Sequence, residues 1–352
     1  MTLSREPHRD GEDLAIGIDI GGTNIRSALF RGLEAAAAAA AETGDGDVAL
    51  SAAVRPVAER REVVGRDRDP EKVVARLGAI VAELLRSAGC ADRAVPVGIG
   101  FAGMMRGDTG VVVSSPNVGW REVPFGDLLR RELGPHHRVA IENDANAIAW
   151  GEFQLGAGRG AKDVVAVYVG TGIGGGAVAN RTLVTGTGSA LEIGHVKVVW
   201  DENARPCNCG LKGCIEAYAG GELMSRRARA ELAGAIHSMA VDLAGSLEAL
   251  NPSHLDAAAA EGDDYALGLW AEIAPLLGVV LANAVTLFNP QRLILGGGVL
   301  SRTPFLREQA VAALEVAVNP PAAESLVVVN ALLGDDAGLV GSALLASAAA
   351  SR

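Results

Sequence analysis

Aromatic side chains are scarce in this chain: Phe, Tyr and Trp together make up 4% of its 352 residues. Stacking platforms for single-stranded nucleic acid need such rings, so that class of partner is disfavoured. Cations are also outnumbered, with 31 Lys and Arg against 42 Asp and Glu and a formal net charge of −11. A general nucleic-acid binder takes its affinity from cations that displace counterions, which this balance does not supply. Long apolar runs are missing too. The most apolar stretch, Leu276 to Phe288, is shorter than the roughly 20 residues a bilayer helix requires, and it contains Asn283. The start of the chain, Met-Thr-Leu-Ser-Arg-Glu-Pro-His-Arg-Asp, has no apolar core of the kind an export signal carries. Cysteine is limited to four residues, three of them between Cys207 and Cys214, a clustering that favours a metal site over disulfides. The expectation is a cytoplasmic protein with neither a membrane nor a nucleic-acid partner.

What remains is an aliphatic globular composition, 49% hydrophobic and 21% charged, long enough for about two domains. Leu14 to Ile20 is an apolar run broken by Gly21-Gly22, with a second strand expected at Ser27 to Phe30. The seven alanines Ala35–Ala41 can form a helical turn or two, but the stretch over 31–47 that holds them reads rather as a low-complexity surface insert. Pro70 to Ala88 has helical periodicity, with Val73, Val74, Leu77, Ile80, Val81, Leu84 and Leu85 on one face. Strands are expected at 95–101 and 139–141, and helices at 125–133, 145–153 and 338–350. At Val164 to Val169 the opening pattern returns: an apolar strand, then Gly170-Thr171-Gly172-Ile173-Gly174-Gly175-Gly176, then a strand at Ala177 to Ala179. A third strand-to-glycine junction runs from Leu293 to Gly298. Repetition at a domain-length interval implies duplication of a whole α/β domain, two such domains facing each other across a cleft, and a nucleotide held by both glycine hairpins.

Asp19-Ile20-Gly21-Gly22-Thr23 suits phosphate binding, because glycines let backbone N–H groups approach oxygens, Thr23 adds a hydroxyl and Asp19 can hold Mg²⁺ through water. The plain alternative is a tight hairpin turn. Gly170, Gly172 and Gly175 also match a dinucleotide-binding fingerprint, but that motif must open a helix, and here a strand is expected. In Glu142-Asn143-Asp144-Ala145-Asn146, Asp144 can be a general base for an attacking alcohol; Asn143 or Asp144 can equally be a helix cap. His195, Cys207, Cys209 and Cys214 suit a closed tetrahedral zinc shell, a structural site, with reduced, unbound cysteines as the plain alternative. Glu192 and Glu216 flank it as possible acceptors from sugar hydroxyls, or as exposed ion-pair partners. Cys90 stands apart as a small core residue.

Taken in order, these motifs resemble the ROK family of repressors and sugar kinases, and within it the bacterial glucokinases most. The resemblance runs from about Leu14 to Ala349. Besides the motifs above, it rests on Gly98–Gly103, Ser115-Pro116-Asn117 with Trp120, Glu192-Ile193-Gly194-His195, Cys207–Glu216 and Leu295–Gly298. It implies a duplicated actin-like ATPase (ribonuclease H-like) α/β fold, two domains around a central cleft. A smaller N-terminal domain would span 1–144 and a larger one with the zinc knuckle 145–337, with a helix of about 338–352 packing back on the first. It further implies ATP-dependent phosphorylation of the 6-hydroxyl of glucose or a related hexose, with Asp144 as base. The sugar would be lined by Gly103, Asn117, Asn143, Asp144, Glu192, His195 and Glu216. ATP would meet Asp19, Gly21, Gly22, Thr23, Gly170, Thr171, Gly172 and Gly174, with adenosine near Gly296, Gly297 and Gly298. The implied cofactors are Mg²⁺ and a structural Zn²⁺ on His195, Cys207, Cys209 and Cys214, and the implied assembly is a homodimer or homotetramer. Repressor members of the family carry a DNA-binding domain ahead of the first hairpin, for which the short segment before Leu14 is not expected to suffice. The loop from His195 to Cys207 is slightly longer than the family pattern, and the Ala-rich stretch is a second departure.

Overall fold

The computed structural model describes residues 13–43, 54–234 and 236–348. The chain divides into two units: Met1–Gly160 with Gly186–Ser189 and Asp335–Arg352, and Ala161–Thr185 with Ala190–Gly334. Among the described residues the first unit contributes β1 (Leu14–Ile20), β2 (Asn24–Arg31), β3 (Ala58–Val63), β4 (Val97–Phe101), β5 (Met104–Arg106), β6 (Val111–Ser115), β7 (Trp120–Val123) and β8 (Val139–Asn143). The second contributes β9 (Val164–Val169), β10 (Ile173–Ala179), β11 (Thr182–Leu183), β12 (Arg292–Gly296) and β13 (Val327–Asn330).

The two main sheets have the same topology. In the first the order is β3-β2-β1-β4-β8, and in the second β11-β10-β9-β12-β13. Each has an antiparallel edge, β3-β2-β1 or β11-β10-β9, followed by two strands added in parallel. The repeat legible at the glycine turns is thus the repeat of a whole five-stranded sheet. Burial explains the patterning. β1 is closed on both faces, with only Asp19 partly accessible, as befits a central strand covered by helices. β3, at the edge, alternates partly buried and exposed residues and carries charges that discourage further pairing.

Helix Pro70–Ser87 forms as its periodicity predicts: Asp69 Oδ1 accepts the N–H groups of Glu71 and Lys72 at 3.0 and 3.2 Å, and all seven apolar positions are buried. The few aromatics are concentrated: Phe101, Trp120 and Phe125 pack with ring centroids 5.2 Å apart behind the loop that carries Asn117. The Ala-rich stretch is ordered where it is described, contrary to the expectation of a surface insert. Leu33–Thr43 is a helix with Leu33, Ala37 and Ala40 buried, the outcome that alanine's propensity favours once one face finds a core. Asp13 accepts the Glu34 N–H at 2.7 Å beneath it; residues 44–47 lie outside the described residues.

In the second unit, helix Asp264–Phe288 is long and apolar enough to cross a bilayer by length and composition, although the apolar run in the sequence reads as shorter. Half of that window is buried, and Leu269, Trp270, Ile273, Leu277, Leu281 and Val285 belong to the unit's core, so the helix serves there as a core element.

Helix Ala337–Ala348 returns to the first unit and packs on β1, β4 and helix Asp144–Leu155. Its backbone lies so close to the sheet that a Cβ at Gly17 would fall 1.9 Å from the Leu339 oxygen, and one at Gly98 1.7 Å from the Ser342 oxygen. Gly98→Ala is therefore expected to destabilise the protein by about 1–3 kcal/mol or more, read as a lowered Tm. An unchanged Tm would contradict this close docking.

Candidate active site

The β1–β2 hairpin closes through the Gly21 N–H donating to the Asn24 oxygen at 3.0 Å, which leaves Gly22 and Thr23 at its tip. Gly22 faces the Asn117 loop, since a Cβ there would be 3.2 Å from Asn117 Cβ. Arg68 ties these two segments together: its guanidinium donates to the Asn117 carbonyl and, at 3.4 Å, to the Gly22 carbonyl. Trp120 Nε1 donates to the Arg68 carbonyl at 2.7 Å. Nothing in the sequence singles out Arg68, which lies in a polar run without periodicity.

The β8–helix junction resolves the roles of its neighbours. Asn143 is the N-cap, its Oδ1 accepting from the Ala145 and Asn146 N–H groups at 2.9 and 3.2 Å, while its Nδ2 donates to the Gly103 carbonyl at 3.2 Å. Asp144 follows as the first helical residue, and its Oδ1 also accepts the Ala145 N–H at 2.9 Å. The cap is thus Asn143 and not Asp144. Burial raises the Asp144 pKa, opposed by backbone N–H groups. Glu142 is raised by burial as well, opposed by Asn146 Nδ2 and the Asn143 N–H. Asp19, at the end of β1, is pushed up to about 6 by burial, with the negative charge of Asp144 adding to the shift and Arg26 opposing it. The first turn of helix Ala337–Ala348 passes over it, a Gly338 Cβ lying 3.5 Å from Asp19 Cγ. Arg26 anchors the same segment through the Asp335 carbonyl and, at 2.7 Å, Asp336. The negative charge of Asp144 thus adds to the cost of ionising Asp19.

In the second unit, Gly170, Thr171 and Gly172 form the turn between β9 and β10, so the glycine run enters a strand and not a helix. Gly174 lies within β10 opposite Tyr168. The Gly296–Gly298 junction sits beside the same turn: the Val299 N–H donates to the Val169 carbonyl at 2.9 Å, and a Gly297 Cβ would come within 2.4 Å of that oxygen. Glu192 precedes the short helical turn Ile193–His195, its carbonyl accepting the His195 N–H at 2.9 Å.

The ligand atoms of His195, Cys207, Cys209 and Cys214 all lie within 4.8 Å of one another, and the cysteines form no disulfide. Tetrahedral zinc, with Zn–S bonds of about 2.3 Å, spaces its sulfurs by about 3.8 Å. Cys209 Sγ and Cys214 Sγ are 3.7 Å apart, and Cys207 Sγ is 3.8 Å from His195 Nδ1, so the donor set fits that ion. Lys197 Nζ lies 3.0 Å from Cys214 Sγ, a cation beside three thiols that the sequence reading did not single out. Glu216 has a partner the sequence did not reveal: its Oε2 accepts the Ile173 N–H at 2.9 Å.

Asp19 yields a pH prediction. A carboxyl whose pKa is raised on folding stabilises the protein fully below its unfolded value near 3.8, and that contribution is lost as pH rises through about 6. Asp19→Asn should therefore raise the Tm of the cation-free protein at pH 8, with the gain shrinking as pH falls through about 6 towards 4. A gain equal at all pH values, or a loss at pH 8, would contradict the burial of this carboxylate. For the knuckle, metal analysis of protein purified without chelators should find about one zinc per chain, and Cys209→Ser should lose it and lower the Tm. Retention of stoichiometric zinc by that variant would exclude Cys209 as a ligand.

The ROK family model matches residues 15–349. A glucokinase of Thermotoga maritima is 37% identical over 75% of this chain and 82% of its own length. A glucokinase of Streptomyces coelicolor is 33% identical over 95% of this chain and 97% of its own. Among solved structures, a ROK family glucokinase from Streptomyces griseus, in complex with glucose and AMPPNP, superposes with a TM-score of 0.74 at 32% identity, covering 95% of this chain and 99% of that one. The fold is the actin-like α/β fold of those enzymes, and the chain belongs to the ROK family.

Proposed function

We propose that the protein is a glucokinase, transferring the γ-phosphoryl group of ATP to the 6-hydroxyl of glucose. The observation that carries this reading is Asp144, a half-buried carboxylate of raised pKa at the first residue of a helix whose cap is supplied by its neighbour Asn143. The similarity to glucokinases over nearly the full length of both chains supports the same class of reaction.

In the proposed step, an Asp144 carboxylate oxygen takes the proton from the 6-hydroxyl as that oxygen attacks the γ-phosphorus. The bond from phosphorus to the bridging oxygen of ADP breaks, and ADP leaves with that electron pair. Its raised pKa makes Asp144 a stronger base than an ordinary carboxylate, and its N–H contacts hold it in one orientation. Asn143 has its oxygen committed to the cap and one Nδ2 hydrogen to Gly103, so it would meet a sugar hydroxyl through the remaining hydrogen. Gly103 admits no side chain, since a Cβ would lie 2.9 Å from the Ser114 oxygen. With Asn117, these residues would contact the sugar, and the family pattern assigns Glu192, His195 and Glu216 to the same ligand.

For the nucleotide, Gly21, Gly22 and Thr23 and the Gly170–Gly172 turn would offer backbone and hydroxyl donors to phosphate oxygens, with Gly174 assigned to the same group. Gly296–Gly298 is assigned to adenosine. Asp19 would hold Mg²⁺, which when bound supplies positive charge against the phosphates. Zinc on His195, Cys207, Cys209 and Cys214 would be structural and would fix the His195 ring.

A coupled ADP-release assay across glucose, mannose, fructose, N-acetylmannosamine and N-acetylglucosamine tests the reading. Glucose should give the highest kcat/KM. Asp144→Asn should lower kcat by about 10²–10⁴-fold with glucose binding still measurable by calorimetry. Preferred turnover of an N-acetyl sugar would replace the substrate, and a variant of near-normal rate would remove Asp144 as the base.

A further inference from the structure

The geometry points to Glu216 as a strut between the Cys–His knuckle and the second glycine turn, through which the bound metal sets nucleotide affinity. This rests on the reading of Gly170–Gly172 as a nucleotide-phosphate turn. Glu216 follows Cys214 closely in sequence, and its two oxygens face different ways. Oε1 lies 3.6 Å from Cys207 Sγ, and Oε2 accepts the Ile173 N–H at 2.9 Å. The turn has closed down on that carboxylate: a Cβ on Gly172 would stand 2.4 Å from Oε2. The same segment then reaches the other side of the turn. The Gly221 N–H donates to the Gly170 carbonyl at 2.9 Å, and the Glu222 N–H to the Thr171 carbonyl at 3.0 Å.

The turn itself contributes one backbone bond, from the Gly170 N–H to the Gly172 carbonyl at 2.9 Å. Two glycines in three residues give it a wide choice of conformations when unsupported. Its shape is therefore held by the segment that the knuckle anchors at Cys214. With the metal bound, Cys214 is fixed two positions ahead of Glu216 in the chain, and Cys207 is fixed beside its Oε1. With the metal lost, the carboxylate is free to turn away, the buried Ile173 loses its N–H acceptor, and the turn samples conformations that do not fit phosphate. Metal and nucleotide are then linked ligands of the second unit, each favouring the other.

The test measures ADP affinity by calorimetry, without sugar, on zinc-loaded and zinc-depleted protein, with zinc content and far-UV circular dichroism followed at each step. Depletion should weaken ADP binding to the wild-type chain by at least about fivefold. Glu216→Ala keeps all four metal ligands, so it should retain zinc, start at the weakened affinity and change little on depletion. Glu216→Gln retains an oxygen for the Ile173 N–H and should keep both the tight binding and its zinc dependence. ADP affinity that is the same with and without zinc in the wild-type chain would overturn the strut alone. Full affinity and zinc dependence in Glu216→Ala would overturn it as well. Failure of the zinc-loaded wild-type chain to bind ADP would remove the nucleotide reading together with the strut.

Discussion

Asp19 closes a strand that is otherwise sealed on both faces, and its carboxylate sits where water is scarce and Asp144 adds a second negative charge. Such an arrangement is costly to fold, and much of the first unit compensates for it. β1 and β4 lie flat under helix Ala337–Ala348, whose backbone approaches within the space that Gly17 and Gly98 leave open. Arg26 opposes the Asp19 shift with its positive charge, and it also anchors the segment leading into that helix through Asp335 and Asp336. Stability is given up where a cation and a reacting hydroxyl would use it, a common balance at sites of chemistry.

The second unit repeats the sheet but uses it differently. Where the first unit's central strand carries Asp19 one residue before its end, β9 ends at Val169 and passes straight into a turn without a carboxylate of its own. The carboxylate there is Glu216, which comes from the Cys–His segment and grips the turn from outside. A duplicated frame thus carries two kinds of glycine turn, one near Asp19 and one whose Ile173 N–H is accepted by Glu216 from the Cys–His segment.

Much of this was legible in the sequence because it depends on local pattern. Apolar runs broken by glycine mark β1 and β9, the seven apolar positions of 70–87 mark their helix, and the spacing of Cys207, Cys209 and Cys214 after His195 marks a cluster whose ligand atoms the fold brings within 4.8 Å of one another. Whether Asn143 or Asp144 caps the helix was open, because both residue types cap well; only the backbone N–H directions decide it. Three features were not legible. β5, β6 and β7 hold three to five residues each, too few for a period of two to stand out. The alanines of 35–41 lack the contrast between faces that marks an amphipathic helix, yet burial of Ala37 and Ala40 is enough to dock one. Arg68 reaches Gly22 across 46 positions and Glu216 reaches Ile173 across 43, and no local signal encodes such pairs.

The role of Asp144 as a base set in a poorly solvated carboxylate pair is tested most directly by the pH dependence of kcat/KM for glucose. If burial governs that carboxylate, the rate falls on the acid side with an apparent pKa clearly above the ordinary aspartate value of about 4. The residual rate of Asp144→Asn should lack that limb. A wild-type profile that stays flat down to the ordinary carboxylate range, or the same acid limb in the variant, would place the proton acceptor elsewhere.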